Sequence, residues 1–383
     1  MIGQLPIHGG QLRQIAERFG IPLPKLIDFS SNINPEGPPP AVIPALRASL
    51  EDPATLGCYP DMDQLELKQS IARYAGVSPA NVVVANGFVP LLDAALRALR
   101  IRHCLLPVPA FVEYRPALIR AETKITPHPL TPELNFAYHI DNILESMLAG
   151  KHDAGEHDAI LLANPQNPSG VSCNPQALLQ LVARAAEQNI TVLLDEAFID
   201  YIASDSLSLF VEQFQNLIVF RSVTKFHGIP GLRVAYAAAA SEVARSIADN
   251  LPPWPVTTLA ARAVVAALDD SPYADRTRLL NQERRAKMRS ELEELAIHSY
   301  NSAANFLLFR LPFDGVSSRV DPAEFWQRMI AGHCLVLRNC DNYEGLGAGH
   351  FRAAVRNESD NRILVRAMRQ TLADCRAGSA KTR

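Results

Sequence analysis

The stretch LIVFRSVTKFHGIPGLRVAYAAAA, residues 217–240, sets two apolar runs on either side of a short segment that holds one lysine. LIVF has the length and composition of a buried strand, and RVAYAAAA reads as a second one. Between them Gly228, Pro230 and Gly231 mark a turn. Lys225 lies between two hydroxyl residues, Ser222 and Thr224, and that turn, with Arg233 eight positions later. Most lysines are solvated surface charges without a chemical role. The rest of the chain decides whether this one is different.

Outward from that stretch the chain alternates. The runs NVVVA (81–85), CLLP (104–107), AILLA (159–163) and TVLLD (191–195) read as further buried strands. PLLDAALRALR (90–100) and PQALLQLVARAAEQ (175–188) space their apolar residues by three and four, as amphipathic helices do. Such alternation predicts an α/β fold with a mainly parallel sheet, whose chemistry belongs on the loops leaving the carboxyl ends of strands. The pattern changes near Pro252–Pro255. Beyond it a helix-rich stretch (257–296), the runs NFLLFR (305–310), CLVL (334–337) and HFRAAVR (350–356), and a last helical pattern (358–376) predict a smaller α+β domain. The expected organisation is an arm over 1–50 contributing to the small domain and the site, a large domain over 51–255, a small domain over 256–376, and a disordered tail over 377–383. No internal repeat is present.

Composition bounds the function. The chain has 383 residues, 20% of them charged, and a formal net charge of -3, which argues against nucleic-acid binding. No apolar run approaches the length of a membrane span. The opening MIGQLPIHGGQ lacks the basic and apolar regions of a signal peptide, so a cytoplasmic location is expected. The six cysteines form no C-x-x-C pair and have no matching histidine spacing, so free thiols and no metal site are expected.

Three loops carry polar residues that packing alone does not require. ANPQNPSG (163–170) holds Asn167 in a turn fixed by Pro168 and Gly170, although Asn-Pro is itself a common turn former. LLDEAFIDY (193–201) ends an apolar strand with Asp195 and Glu196, either of which could simply cap the next segment. ANGFVPLLDAAL (85–96) is a strand, a glycine turn and a helix start, where backbone N–H groups can hold a phosphate.

Together with Ser-x-x-Lys and the arginine at +8, these motifs resemble, in order and spacing over nearly the whole chain, the fold-type-I pyridoxal-phosphate enzymes, the aspartate aminotransferase superfamily. The resemblance implies pyridoxal 5′-phosphate as cofactor, with Lys225 as the amine that links to it and Asp195 as the carboxylate that keeps its ring nitrogen protonated. It implies that Asn167 donates to the phenolic oxygen O3′, and that Ser222, Arg233 and the backbone of Gly87, Phe88 and Val89 hold the phosphate. Phe111 would lie against the ring face. Tyr59, in GCYPDMDQLE, would reach the cofactor phosphate of the second chain in a homodimer with shared sites.

There are departures from the pattern. Relatives commonly carry tyrosine where this chain has Phe198, and a hydroxyl residue within the stretch that here reads Phe88-Val89-Pro90. Each change removes one expected hydrogen bond to the cofactor. The ends of the chain narrow the resemblance. HGGQLRQIAERFGIPLPKLIDFSSNINPEGPP (8–39), LRNCDNYEGLG (337–347) and HFRAAVR are similar to the threonine-phosphate decarboxylases of cobalamin biosynthesis. That likeness implies His8, Asn32 and Arg338 at the substrate phosphate, Arg352 at its carboxylate end, and Asn167 also in contact with substrate. Arginine's planar fork suits both anions. Aminotransferases of the histidinol-phosphate type share the scaffold and also use phosphorylated substrates, so the motifs leave decarboxylation and transamination both open.

Overall fold

A computed structural model describes residues 9–153, 157–312 and 320–381. The first strand, Ile27–Asp28 (β1), comes from the arm. Seven more come next: Val82–Ala85 (β2), His103–Val108 (β3), Lys124–Pro129 (β4), Ala159–Ala163 (β5), Thr191–Asp195 (β6), Leu217–Ser222 (β7) and Ala235–Ala238 (β8). They form one sheet in the order β2-β8-β7-β6-β5-β3-β4. Only β8 runs against its neighbours, so the sheet is mainly parallel. All but β4 are buried, which is why these strands read as unbroken apolar runs. Leu106, Leu161, Leu193 and Phe220 pack on one side with the helix Phe88–Ala98. Leu105, Ile160, Val192 and Val219 pack on the other with the helix Pro175–Ala186.

The strand β4, which the apolar pattern does not announce, lies at the sheet edge with Pro127 and Pro129 in it. An edge tolerates a residue that cannot donate to a neighbour. Its side chains are mostly exposed or partly exposed, so it lacks the continuous hydrophobicity of the central strands.

The C-terminal part adds His298–Ser299 (β9), Phe306–Arg310 (β10), Leu335–Val336 (β11), Arg338–Asn339 (β12) and His350–Ala354 (β13). Four of these form an antiparallel sheet, β12-β13-β10-β9. Of the run CLVL, expected as one strand, only Leu335–Val336 is strand, and β12 begins just past the end of the run. β11 pairs in parallel with β1 of the arm, and β12 pairs with β13. At the break the Leu337 carbonyl accepts a bond from the Trp326 indole, 3.1 Å away, instead of a strand partner. The arm is also tied in by the Ala354 amide, which donates to the Phe29 carbonyl at 2.8 Å, and Ile15 and Phe29 sit in the core of this part. The last helix runs Glu358–Lys381. It therefore continues past residue 377, where the chain was expected to lose regular structure. Residues 382–383 lie outside the described residues.

Candidate active site

Five loops leave the same edge of the large sheet and meet around a cavity of about 500 Å³, within the range of small-molecule sites. Its wall carries Gly87, Phe88 and Val89 after β2, Phe111 after β3, Asn167 after β5, Asp195 and Phe198 at β6, and Ser222 and Lys225 after β7, with Arg233 just before β8. Nine residues assigned cofactor contacts by resemblance (all but Tyr59) are thus brought together in one chain.

The phosphate-type corner is built from β2 and β8. Gly87 has φ 95° and ψ 172°, a conformation essentially reserved for glycine, and caps the helix that starts at Phe88. A Cβ at Gly87 would stand 2.6 Å from an Arg233 guanidinium nitrogen, so the missing side chain leaves room for the arginine. Arg233 itself is left-handed, φ 56°. The Gly87 amide is not free for a ligand, because it donates to the Ala85 carbonyl at 2.8 Å. This corrects the expectation for that group and leaves the first-turn amides of Phe88 and Val89. Pro90 contributes none.

Lys225 lies in the one-turn helix Val223–Phe226, which the Ser222 side chain caps. Its Nζ donates to Ser222 Oγ at 3.1 Å and stands 5.8 Å from the Phe198 ring centroid. Burial lowers the lysine's pKa and Asp195 raises it, while the Arg233 and Arg352 cations lower it further. The amine is therefore less basic than an exposed lysine, as a nucleophile requires. The turn is anchored from the arm: the Asn34 amide donates to the Lys225 carbonyl at 3.0 Å, and its side chain to the Phe226 carbonyl at 2.9 Å.

Asp195 is buried at the end of β6. One carboxylate oxygen accepts from the Ala197 amide at 2.9 Å, the other from the Tyr114 hydroxyl at 2.6 Å. Burial raises its pKa, and the Tyr114 bond and the Lys225 charge oppose that. Tyr114 was not singled out from the sequence. The only signal was its place three residues after Phe111 in FVEY.

Asn167 is oriented by Arg352, whose guanidinium donates to its side-chain oxygen at 2.5 Å and to the Ser30 carbonyl at 3.1 Å. Arginine can only donate, so the amide nitrogen of Asn167 must face away from it. Arg352 and Arg338 are direct partners across β12 and β13, and both are buried. Among the described residues, Arg352 Nε and Asn32 Oδ1 are buried without a hydrogen-bond partner, a state that a polar ligand would relieve. Arg338 is not on the cavity wall; it bonds the Asn339 carbonyl and, at 2.8 Å, Asn342 in its own loop. Tyr59 is 80% exposed and stacks on Trp254, centroids 4.6 Å apart, rather than lining the cavity. His8 lies outside the described residues.

The donor set fits pyridoxal phosphate. The cavity gathers a lysine amine of lowered basicity, a buried carboxylate for a cationic ring nitrogen, and an arginine beside a glycine that a Cβ would crowd.

Residues 24–368 match the aminotransferase class I and II family, and the chain belongs to it. Within that family it is 32% identical to a threonine-phosphate decarboxylase from Salmonella typhimurium, over 95% of this chain and 96% of the relative. It is also 32% identical to a histidinol-phosphate aminotransferase from Roseiflexus castenholzii, over 80% of each chain. Among solved structures, the histidinol-phosphate aminotransferase from Clostridium acetobutylicum superimposes with a TM-score of 0.82 at 25% identity, covering 91% of this chain and all of that one. The fold is that of the pyridoxal-phosphate aminotransferases, and the family depends on that cofactor.

Proposed function

We propose that the protein is a pyridoxal-phosphate-dependent decarboxylase that converts L-threonine O-3-phosphate to (R)-1-amino-2-propanol phosphate and CO2, a step of cobalamin biosynthesis. The observation that carries this reading is the pairing of Arg338 with Arg352 across adjacent strands, with Arg352 reaching Asn167 on the cavity wall. Two arginines suit a small substrate with a phosphate at one end and a carboxylate at the other. The 32% identity to the Salmonella typhimurium enzyme, over almost all of both chains, supports the same assignment.

The cofactor, when bound, supplies an electron sink for the pair released as a bond to the substrate's Cα breaks. The chain's own residues do the rest. Ser222, Arg233 and the Phe88 and Val89 amides would hold the cofactor phosphate, Asp195 its ring nitrogen, Asn167 its phenolic oxygen, and Phe111 its ring face. Arg352 and Asn32 would meet the anionic ends of the substrate, joined by Arg338 once it turns from the Asn339 carbonyl and Asn342 toward the phosphate, and so fix which Cα bond is aligned for cleavage. Remote binding energy is then used for orientation at the reacting carbon. Lys225 Nζ is the group on the wall suited to deliver the proton that replaces the lost carboxylate.

The Roseiflexus castenholzii relative favours one second reading, an aminotransferase of the histidinol-phosphate type using 2-oxoglutarate. Parallel assays separate the two. L-threonine O-3-phosphate alone should release CO2 with no keto acid present. Rapid glutamate formation from histidinol phosphate and 2-oxoglutarate, with no CO2 from threonine phosphate, would reverse the assignment.

The active unit in this reading is a homodimer with shared sites, in which Tyr59 serves the partner's cofactor phosphate; its exposure is consistent with such a partner. We take 1–50 as the arm, 51–255 as the large domain and 256–376 as the small one. Six free cysteines suit the cytoplasm. No helix among the described residues is long and apolar enough to cross a membrane.

A further inference from the structure

Asp195 is held from two directions. Its own strand end supplies the Ala197 amide, and the helix Tyr114–Arg120 supplies the Tyr114 hydroxyl to the other oxygen. The Tyr114 ring is fully buried and wedged against Phe88 and Phe111, with centroids 5.7 Å and 5.6 Å away. The hydroxyl therefore cannot swing off the carboxylate without displacing two aromatic neighbours on the cavity wall. We propose that Tyr114 is a positioning residue, whose hydroxyl aims the Asp195 carboxylate and holds it as the anion that pairs with the cofactor's ring nitrogen. This rests on the reading that pyridoxal phosphate occupies the cavity.

The chemistry has a definite sign. Burial and the neighbouring Asp195 raise the Tyr114 pKa well above its usual value, so the phenol stays a donor throughout the working range. A donor to a carboxylate favours its charged form. The other groups acting on Asp195 are the Lys225 cation and the Ala197 amide, which also favour the anion, and burial, which opposes it. Tyr138 lies near the pair, but its hydroxyl donates to the Ala163 carbonyl at 2.9 Å. Removing the Tyr114 hydroxyl raises the proton affinity of Asp195. The carboxylate then neutralises at higher pH, and its pairing with the ring nitrogen is lost sooner on acidification.

The test is the dissociation constant of pyridoxal phosphate, followed by absorbance across pH, for wild type, Tyr114→Phe and Tyr138→Phe. Tyr114→Phe should bind about tenfold more weakly at neutral pH, as expected for loss of one hydrogen bond to a charged group. Its acid limb should move up by about one pH unit, while Tyr138→Phe leaves the limb in place. An unmoved limb in Tyr114→Phe, or an equal shift in both variants, overturns the proposal. Should Tyr114→Phe not fold, fluorotyrosine placed at position 114 by site-specific incorporation gives a stronger donor. The limb should then move to lower pH, and no movement again overturns the proposal. Wild type that takes up no pyridoxal phosphate at all would instead refute the cofactor reading, and this proposal with it.

Discussion

Replacing Gly87 by alanine should damage folding and cofactor binding by separate, separable amounts. At φ 95° and ψ 172° the backbone lies in a region that side chains exclude, and forcing an L-residue there costs about 1–3 kcal/mol. That cost falls on the apoprotein and is read by denaturant unfolding. The second effect is local. The new Cβ would stand 2.6 Å from Arg233 Nη2 and 3.3 Å from its Cζ, so the guanidinium must move. An arginine drawn off a phosphate loses charge-assisted hydrogen bonds of about 1.5–3 kcal/mol each, which for one bond is roughly a 10- to 150-fold rise in the dissociation constant of pyridoxal phosphate. Gly231→Ala is the control. Gly231 lies in the same turn as Arg233, and an added Cβ there meets nothing within 4 Å, so both quantities should stay near wild type. Gly87→Ala with unchanged apoprotein stability and cofactor affinity within twofold would refute this picture of the corner.

Three further outcomes rest on named contacts. Arg221 is buried against Asp200 and, at 3.9 Å, Glu196; Arg221→Met strands two buried carboxylates and should cost about 3–5 kcal/mol in urea unfolding, a loss under 1 kcal/mol being contrary. Burial pushes the Glu196 pKa up to about 7 from 4.5; a folded value above the unfolded one means stability present below pH 4.5 is lost as pH rises to 7, so Glu196→Gln should flatten unfolding free energy over that window, and an unaltered slope would contradict it. Mixing Lys225→Ala chains with Tyr59→Phe chains should give heterodimers with one unimpaired site and activity above either parent, whereas verified heterodimers without recovery would argue against sites shared between chains.

The large sheet could be read from the sequence because its strands are buried on both faces. AILLA and TVLLD match β5 and β6 residue for residue, and neither needed a tertiary partner to be recognised. The strand β4 stayed hidden because an edge position removes the burial that makes a strand visible. CLVL showed its hydrophobicity but not the end of its strand at Val336, where the Leu337 carbonyl turns to the Trp326 indole, eleven residues away. The site obeys the same logic. Lys225, Asp195 and Asn167 lie at strand ends where chemistry is expected, and their loops announced them. Tyr114 was not singled out, because its partner is 81 positions distant. The engaged amide of Gly87 was hidden for a related reason, since a glycine turn does not disclose which of its N–H groups the turn itself uses.

The central claim is that Lys225 is the amine to which the cofactor attaches, opposite Asp195. The most direct test is to add pyridoxal phosphate to the purified protein, reduce with borohydride, digest, and locate the modified lysine by mass spectrometry. The predicted result is a yellow protein that borohydride bleaches, with the cofactor fixed on the peptide carrying Lys225 and no fixation in Lys225→Ala. Fixation on another lysine, or an equal yield in Lys225→Ala, would contradict it.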